Sequence, residues 1–340
     1  MLPKVVVTNW IHPEVVELLQ AQGTVIVNPT RQPWSREQVI EQARDAVGLM
    51  AFMPDRVDAV FLEQCPALRV VACALKGFDN FDVDACTRRG VWLTVVPDLL
   101  TVPAAELAIG LLIGLARHVM PGDEHVRSGE FRGWRPLLYG TGLAGSTVGF
   151  LGMGSIGKAI AERLRGFGCA ALIYHDAHPL GSADERALGL RSVSFARLLA
   201  DSDFLIIAVP FTDETKHKVD ADALQTMKSD AYLLNIARGS VVDEDAVGEA
   251  LVAGRLGGYT ADVFEMEDWA RPGRPTAVSS KLLALRDRTL FTPHLGSAVE
   301  SVRLEIELAA ARSILQVLRG ECPDGAVNRP ASAMGRDLSL

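Results

Sequence analysis

The sequence contains little cysteine, and its cysteines form no recognisable pattern. Only five occur among 340 residues, at positions 65, 73, 86, 169 and 322. Their number is odd and no CxxC pair is present, which argues against a disulfide framework and against a cysteine-based zinc site. We therefore expect reduced, largely buried thiols, as in a cytoplasmic protein.

The chain also lacks a hydrophobic run long enough to cross a membrane. The longest, LAIGLLIGLA at residues 107–116, is about half the length that a membrane helix requires, and we interpret it as a buried helix. The N-terminal sequence MLPKVVVTNW has too short an apolar run for a signal peptide. We expect no membrane partner.

No long basic run occurs either. Lys and Arg total 34 against 42 Asp and Glu, which gives a net charge of −8. This balance argues against nucleic acid as the main partner. An anionic substrate would need a local cluster of cations that acts against the overall charge. No cluster of side chains has metal-ligand spacing, so we predict no metal site.

Two series of short apolar runs are present, in a chain long enough for two domains. The first series is KVVVT, TVIVN, AVGLMAF and LRVVACAL. The second starts at residue 147 and comprises TVGFLG, ALIYHD, DFLIIAVP, AYLLNIA, GYTADVF and TLFTPH. Helical segments lie between most of these runs, the pattern of a parallel sheet covered by helices. The sequence therefore predicts an α/β fold with doubly wound parallel sheets.

The order of the segments predicts where the domains begin and end. A long helix at 299–320 follows after the second series is complete, so we expect it to return to the first domain. This gives a discontinuous substrate domain at residues 1–100 and 296–330, a nucleotide domain at 101–295, and a loose tail at 331–340. The polar, glycine-rich segment 119–146 is interpreted as an arm that contacts another subunit.

The pattern GxGxxG occurs twice, and its context separates the two copies. GMGSIG, with Gly152, Gly154 and Gly157, lies between the strand TVGFL and the helix KAIAERLRGFG. Backbone N–H groups at such a helix N-terminus can face a pyrophosphate. GTGLAG at residues 140–145 follows WRPLLY, which has no strand character, and we interpret it as a loop.

An acidic residue follows the fingerprint at the expected distance. Asp176 ends the next strand, ALIYHD, about 20 residues beyond the glycines, where a carboxylate can accept hydrogen bonds from the adenosine ribose. The same carboxylate repels a 2′-phosphate, and no arginine follows it directly. The sequence therefore predicts NAD rather than NADP.

Four segments together carry a resemblance to a known family: GMGSIG, NIARGSVVDEDA (235–246), ADVFEMED (261–268) and TPHLGS (292–297). The chain resembles the D-isomer-specific 2-hydroxyacid dehydrogenases from Val5 to about Pro330. The resemblance implies a Rossmann-type NAD domain, a flavodoxin-like substrate domain, and an active site in the cleft between them. It also implies a catalytic set of Arg238, Glu267 and His294. Together with the fingerprint it implies cofactor contacts from Gly152, Gly154, Ser155, Ile156, Gly157, Asp176, Pro210, Ala237 and Asp262.

The catalytic set makes chemical sense for a dehydrogenase. A neutral histidine at position 294 can accept a proton near neutral pH, and a carboxylate on its other ring nitrogen orients the ring. Glu267 suits that task, but Glu265 is a rival that strand alternation does not exclude. The planar fork of Arg238 suits a two- or three-oxygen anion. The plainer alternatives are a core histidine, an arginine paired with Asp243, and a solvated glutamate.

Segments of the first domain narrow the resemblance to the phosphite (phosphonate) dehydrogenases of that family. They include AFMPDRVDAVFLEQCP, CALKGFDNFDVDAC and, near the end of the chain, HLGSAV with VRLEIE. This resemblance implies that Lys76, Arg238 and Arg303 face the substrate and that Met53 lines its pocket. Three cations suit a dianion better than a single carboxylate. A surface lysine and a helical Arg303–Glu307 pair are the alternatives.

We therefore expect NAD-dependent oxidation of phosphite to phosphate, with His294 activating water. One alternative is a dehydrogenase of a small 2-hydroxy acid, and a remote one is an NAD-sensing corepressor. The predicted arm favours a homodimer, with Trp134 and Tyr139 either covering a neighbouring subunit's site or packing as ordinary aromatics.

Overall fold

The structure, a computed structural model, describes residues 2–330. The chain packs into two compact units. The first unit runs up to Leu100, includes Trp269–Pro272 and resumes at Ala298; the second comprises Thr101–Asp268 and Gly273–Ser297. The predicted loose tail at 331–340 lies outside the described residues.

The described residues form twelve strands and thirteen α-helices. The strands are β1 (Lys4–Val7), β2 (Thr24–Val27), β3 (Gly48–Ala51), β4 (Val70–Cys73), β5 (Trp92–Thr94), β6 (Thr147–Leu151), β7 (Ala171–His175), β8 (Leu190–Ser192), β9 (Phe204–Ile207), β10 (Tyr232–Asn235), β11 (Gly258–Ala261) and β12 (Thr289–Phe291). The helices are α1 (Pro13–Gln20), α2 (Arg36–Ala43), α3 (Ala59–Gln64), α4 (Val83–Arg88), α5 (Thr101–Ala116), α6 (Val119–Arg127), α7 (Ser155–Leu164), α8 (Ser182–Leu188), α9 (Phe195–Asp201), α10 (Ala221–Thr226), α11 (Glu244–Val252), α12 (Ser280–Ala284) and α13 (Glu300–Leu318).

The first unit contains a five-stranded parallel sheet in the order β2-β1-β3-β4-β5. The residues of β3 and β4 are all buried, because helices cover both faces of such a sheet. Helix α13 belongs to this unit, and its Ile306, Ala310 and Ile314 share a core with Val5 and Val70. The helix therefore packs in the first unit, although it follows the second sheet in the chain.

The second unit contains a seven-stranded parallel sheet in the order β12-β11-β10-β9-β6-β7-β8. All six strands predicted for this part of the chain are present. The seventh, β8, was not predicted, nor was β5 of the first sheet. Both are three-residue strands at a sheet edge, and such short edges carry too few alternating side chains for a periodic signal.

The chain segment that follows β5 and precedes β6 differs from its prediction in one respect. Helix α5 buries eight of its side chains, as expected, but the predicted arm begins with a further helix, α6, on which no residue is buried. His118 separates the two helices with a left-handed φ of 51°. Among residues 2–330 no single helix is long and apolar enough to cross a membrane; α5 and α6 meet that criterion only together, with a bend of 63° between them.

Candidate active site

The glycine loop joins β6 to α7, and its first and third glycines, Gly152 and Gly157, leave no room for a side chain. Gly152 has a left-handed φ of 97°, and a Cβ there would lie 2.7 Å from the carbonyl of Ala208. A Cβ on Gly157 would lie 2.7 Å from the carbonyl oxygen of Gly152. Gly154 is the N-cap of α7 and is exposed, as is Ser155. The first turn of α7, which includes Ile156, therefore presents backbone N–H groups where a pyrophosphate can approach.

Asp176 follows β7, the strand next to β6, and its carboxylate contacts the glycine loop. Its Oδ2 accepts a hydrogen bond from the backbone N–H of Met153 at 2.7 Å, and its Oδ1 accepts one from His178 at 2.8 Å. The carboxylate is thereby fixed beside the glycine loop. This placement fits the ribose of a dinucleotide. GTGLAG, by contrast, has no strand before it, in agreement with its interpretation as a loop.

The other predicted cofactor residues follow neighbouring strands. Pro210 comes after β9 and is exposed, Ala237 comes after β10 and is half-buried, and Asp262 follows β11 directly. Ligands of open α/β sheets bind at the carboxyl ends of the strands, where all three lie. Their contacts with a cofactor stay predictions.

The three residues of the predicted catalytic set follow three adjacent strands. Arg238 comes after β10, Glu267 after β11 and His294 after β12, and these strands pair in parallel in that order. Because neighbouring strands lie about 4.8 Å apart, the fold brings the three side chains to one edge of the sheet. Arg238 is half-buried, and one of its Nη atoms donates to the carbonyl of Ala237 at 2.9 Å.

His294 and Glu267 form a direct pair. The Nδ1 of His294 lies 2.7 Å from Oε2 of Glu267, and the other oxygen, Oε1, accepts the backbone N–H of Phe264 at 2.9 Å. The carboxylate is therefore held at both oxygens. It orients the imidazole and leaves Nε2 as the ring nitrogen that can exchange a proton with a substrate or a water.

The backbone around His294 is shaped by Asp262. His294 has a left-handed φ of 57°, which is uncommon for a residue with a side chain. Its N–H donates to the carbonyl of Asp262 at 2.9 Å. The buried carboxylate of Asp262 accepts hydrogen bonds from Thr292 Oγ1, Leu295 N and Gly296 N at 2.6, 2.6 and 2.8 Å. Burial raises the pKa of Asp262, although these donors act in the opposite direction.

Glu265, the alternative partner for His294, lies elsewhere. Residues Glu265–Glu267 form a 3-10 turn, so the strand alternation has ended before this point. The Glu265 carboxylate is buried, with its Oε2 3.2 Å from Nε2 of His217, and it also contacts Glu244. The contact with His294 is therefore made by Glu267.

In the first unit, the predicted substrate residues gather at the carboxyl ends of β3 and β4. Met53 follows β3 and Lys76 follows β4. Arg303 reaches them from α13: it donates to the carbonyl of Ala74 at 3.4 Å, and its guanidinium lies 5.8 Å from the ring centre of Phe52. Arg303 thus lies beside the ends of the two strands that Met53 and Lys76 follow, and Nζ of Lys76 lies 4.0 Å from Oδ1 of Asp98.

The carboxylate of Glu307, which pairs with Arg303, is buried rather than solvated. Glu307 has an oxygen 3.8 Å from Nη2 of Arg303, and its other oxygen lies 2.7 Å from Nδ1 of His12 and accepts the His12 backbone N–H at 3.0 Å. Burial lowers the pKa of Arg303, while Glu307 opposes this effect. Burial also acts to lower the pKa of His12, but Glu307 and Glu300 raise it above its ordinary value. The i, i+4 spacing of Arg303 and Glu307 was the available signal.

A glycine-rich dinucleotide loop and a His–Glu–Arg set at the carboxyl edge of one parallel sheet define the class, an oxidoreductase that uses a nicotinamide cofactor. Residues 109–296 match the family model described as "D-isomer specific 2-hydroxyacid dehydrogenase, NAD binding domain". The chain belongs to this family, and its cofactor is NAD.

Some of the similar proteins are named as glyoxylate reductases. A glyoxylate reductase of Pyrococcus furiosus is 38% identical over 334 residues, which are 97% of this chain and 96% of the relative. A protein of Thermus thermophilus superposes with a TM-score of 0.86 at 34% identity, covering 95% of this chain and 99% of that structure. An NADPH-dependent glyoxylate/hydroxypyruvate reductase of Sinorhizobium meliloti, solved with NADP and malonate, superposes with a TM-score of 0.82 at 29% identity, and the match covers 100% of both chains.

Proposed function

We propose that this dehydrogenase oxidises phosphite to phosphate. The observation that carries the proposal is a pair of cations after β4 of the first unit: Arg303 donates to the carbonyl of Ala74, and Lys76 follows two residues later. Phosphite is a dianion near neutral pH, whereas a hydroxy acid offers one carboxylate. Additional cations suit the more highly charged anion, and the segments that carry Lys76 and Arg303 are those that resemble phosphite dehydrogenases.

The proposed reaction requires a base, anion ligands and a hydride acceptor. The P–H bond breaks, a new P–O bond forms to a water oxygen, and the water loses a proton. NAD, when bound, accepts the hydride. His294 takes the proton of the water at Nε2, and Glu267 stabilises the imidazolium that results. Arg238, Lys76 and Arg303 bind the phosphite oxygens, and Met53 lines the pocket.

The relatives favour a second candidate, a glyoxylate reductase or another dehydrogenase of small 2-hydroxy acids. This reaction would use the same His294, Glu267 and Arg238, with the proton now exchanged with a substrate hydroxyl. Overall similarity supports this candidate more than the first. The proposal of phosphite depends on the local resemblance and on the charge of the first unit.

Steady-state kinetics separates the two candidates. We expect NADH to appear when the protein is incubated with NAD and phosphite, and little NADH to be consumed with glyoxylate. Rapid glyoxylate turnover with no phosphite oxidation would overturn the proposal in favour of the second candidate. Binding of NAD without turnover of either would favour the remote corepressor-like alternative.

Matched variants test whether Lys76 contributes to binding of the substrate. Lys76→Ala should raise the KM for phosphite by about tenfold or more, since a hydrogen bond to a charged group contributes about 1.5–3 kcal/mol. Lys4→Ala serves as the control, because Lys4 is the first residue of β1, at the amino ends of the strands of the same sheet, and pairs with the exposed Asp45. An unchanged KM for phosphite in Lys76→Ala would remove this lysine from the site.

We also propose a homodimer in a reducing, cytoplasmic compartment. Trp134 and Tyr139 are 83% and 74% exposed on the segment 119–146, and a second subunit would cover them. All five cysteines are free, and those at positions 65, 73 and 86 are buried, as suits a reducing compartment. Light scattering should give twice the chain mass, and Trp134→Ala together with Tyr139→Ala should shift it towards the monomer.

A further inference from the structure

Glu244 and Glu265 are two buried residues of the second unit, and the carboxyl group of each contacts the backbone N–H of the other. The N–H of Glu265 donates to Oε1 of Glu244 at 2.7 Å, and the N–H of Glu244 lies 3.4 Å from Oε1 of Glu265. The two residues are only 4% and 7% exposed. This reciprocal contact joins the start of α11, which follows the Arg238 segment, to the turn that contains Glu267.

A second contact joins the same two segments close by. The buried Oδ2 of Asp268 accepts the N–H of Ser240 at 2.7 Å, and the carbonyl of Ser240 accepts the N–H of His217 at 2.8 Å. Next to Ser240, Gly239 packs so closely that a Cβ would overlap the backbone of Phe264 and Glu265. The segments that carry Arg238 and Glu267 are thus held against each other by two hydrogen-bonded contacts and by this close approach of their backbones.

Burial and neighbouring groups act on the carboxyl group of Glu244. Burial raises its pKa to about 7, the hydrogen bond from the Glu265 N–H acts to lower it, and the nearby carboxyl groups of Glu265, Asp268 and Glu267 act to raise it. Oε2 of Glu265 lies 3.2 Å from Nε2 of His217. The other titratable groups that face this cluster are Tyr259, whose phenol senses the charge of Glu244, and Asp243, 3.9 Å from His217.

We propose that Glu244 is a positioning residue, whose buried carboxyl group locks the Arg238 segment against the Glu267 turn. This inference rests on the proposed roles of Arg238 and Glu267, because Glu244 acts only through them. It does not depend on whether the substrate is phosphite or a hydroxy acid. Ionisation of Glu244 would add a negative charge close to Glu265, Asp268 and Glu267, and we expect this repulsion to weaken the lock.

The test compares Glu244→Gln with Glu244→Ala. Glutamine mimics the neutral acid, so Glu244→Gln should keep kcat and KM near those of the unmodified protein. In the unmodified protein kcat/KM should decline above about pH 7 as Glu244 ionises, and this decline should be absent in Glu244→Gln. Glu244→Ala should lower kcat/KM by about 10- to 100-fold, as misplaced catalytic groups do. Glu249→Gln is the control, because it makes the same change at an exposed position of the same helix.

Each outcome of these measurements either supports or overturns the proposed role of Glu244. Loss in Glu244→Ala with rescue by Glu244→Gln supports the proposal; equal kinetics in Glu244→Ala and the unmodified protein, or equal loss in both variants, overturns it. If Glu244→Ala does not fold, the pH profile decides, and a profile in Glu244→Gln that matches the unmodified protein overturns it.

The substrate does not limit this test, because the kinetics use whichever of phosphite and glyoxylate the unmodified protein turns over. If it turns over neither, the proposed function fails by itself. Hydrogen exchange of residues 238–244 then tests the lock: faster exchange in Glu244→Ala but not in Glu244→Gln supports it, and unchanged exchange overturns it.

Discussion

The substitution Glu267→Gln should nearly abolish turnover without unfolding the protein, because one oxygen of Glu267 is already committed. Oε1 accepts the N–H of Phe264, and Oε2 faces Nδ1 of His294. In the glutamine variant the carbonyl oxygen must keep the Phe264 contact, so the NH₂ group is directed at Nδ1. The ring then carries its proton on Nε2 and cannot accept another one there.

The size of the effect follows from this change of tautomer. A comparable change in a Ser-His-Asp triad lowers turnover by about 10⁴-fold. The side chains of His294 and Glu267 are 29% and 24% exposed, so water can partly replace the lost acceptor. We therefore expect a fall in kcat of about 10³-fold, or about 4 kcal/mol in the activation free energy. The unfolding free energy should change by less than about 1 kcal/mol, because the Phe264 hydrogen bond is kept.

The assay combines initial rates, NAD affinity and thermal unfolding, with Glu249→Gln as the exposed control. Rates are measured with the substrate that the unmodified protein turns over. A Glu267→Gln variant that binds NAD normally and retains kcat within tenfold of the unmodified protein would refute the assignment of Glu267 as the orienting carboxylate.

Three further predictions concern the cofactor, a buried acid and the Arg238 segment. Replacing Asp176 with Ala, with a basic residue at position 177, should raise kcat/KM for NADP relative to NAD; an unchanged ratio would contradict the ribose assignment. Burial raises the pKa of Asp55 to about 6. The stability that its protonation provides is therefore present below its unfolded pKa of about 4 and is lost as the pH rises through about 6. Asp55→Asn cannot ionise, so in urea titrations its unfolding free energy should gain about 3 kcal/mol relative to the unmodified protein between pH 4 and 8. Gly239→Ala should cost at least about 2 kcal/mol of unfolding free energy, because its Cβ would overlap rigid backbone of Phe264 rather than a movable side chain.

Most of the fold could be predicted from the sequence because its central strands are fully buried. Strands such as β4 and β9 bury every residue, so their sequences are continuous apolar runs between helical segments. The edge strand β8 buries only Leu190, and α6 buries nothing. Neither element has the apolar pattern that sequence reasoning requires, and both were missed for that reason.

The candidate site was predictable where a motif records a backbone requirement, and not where a contact depends on tertiary structure. The glycines of GMGSIG and the position of His294 after a strand are of the first kind. The choice between Glu265 and Glu267 is of the second kind, because a 3-10 turn rather than a strand separates them. Glu244 was overlooked, and Glu307 was considered only as a solvated partner of Arg303, because a glutamate on a helix ordinarily faces solvent. No local spacing reveals that these two side chains are buried.

The two candidate functions make the same demands on the second unit. Oxidation of phosphite and oxidation of a hydroxy acid both need a base that accepts one proton, an arginine that binds an oxyanion, and a bound nicotinamide. In both proposals His294, Glu267 and Arg238 meet these demands, so the second unit does not separate the two reactions, although the names of the relatives favour a small 2-hydroxy acid. The discrimination has to come from charge in the first unit, where Arg303 is balanced in part by the buried Glu307. Lys76 and Arg303 are consequently the residues whose substitution should change the preference between substrates rather than the rate of the common chemistry.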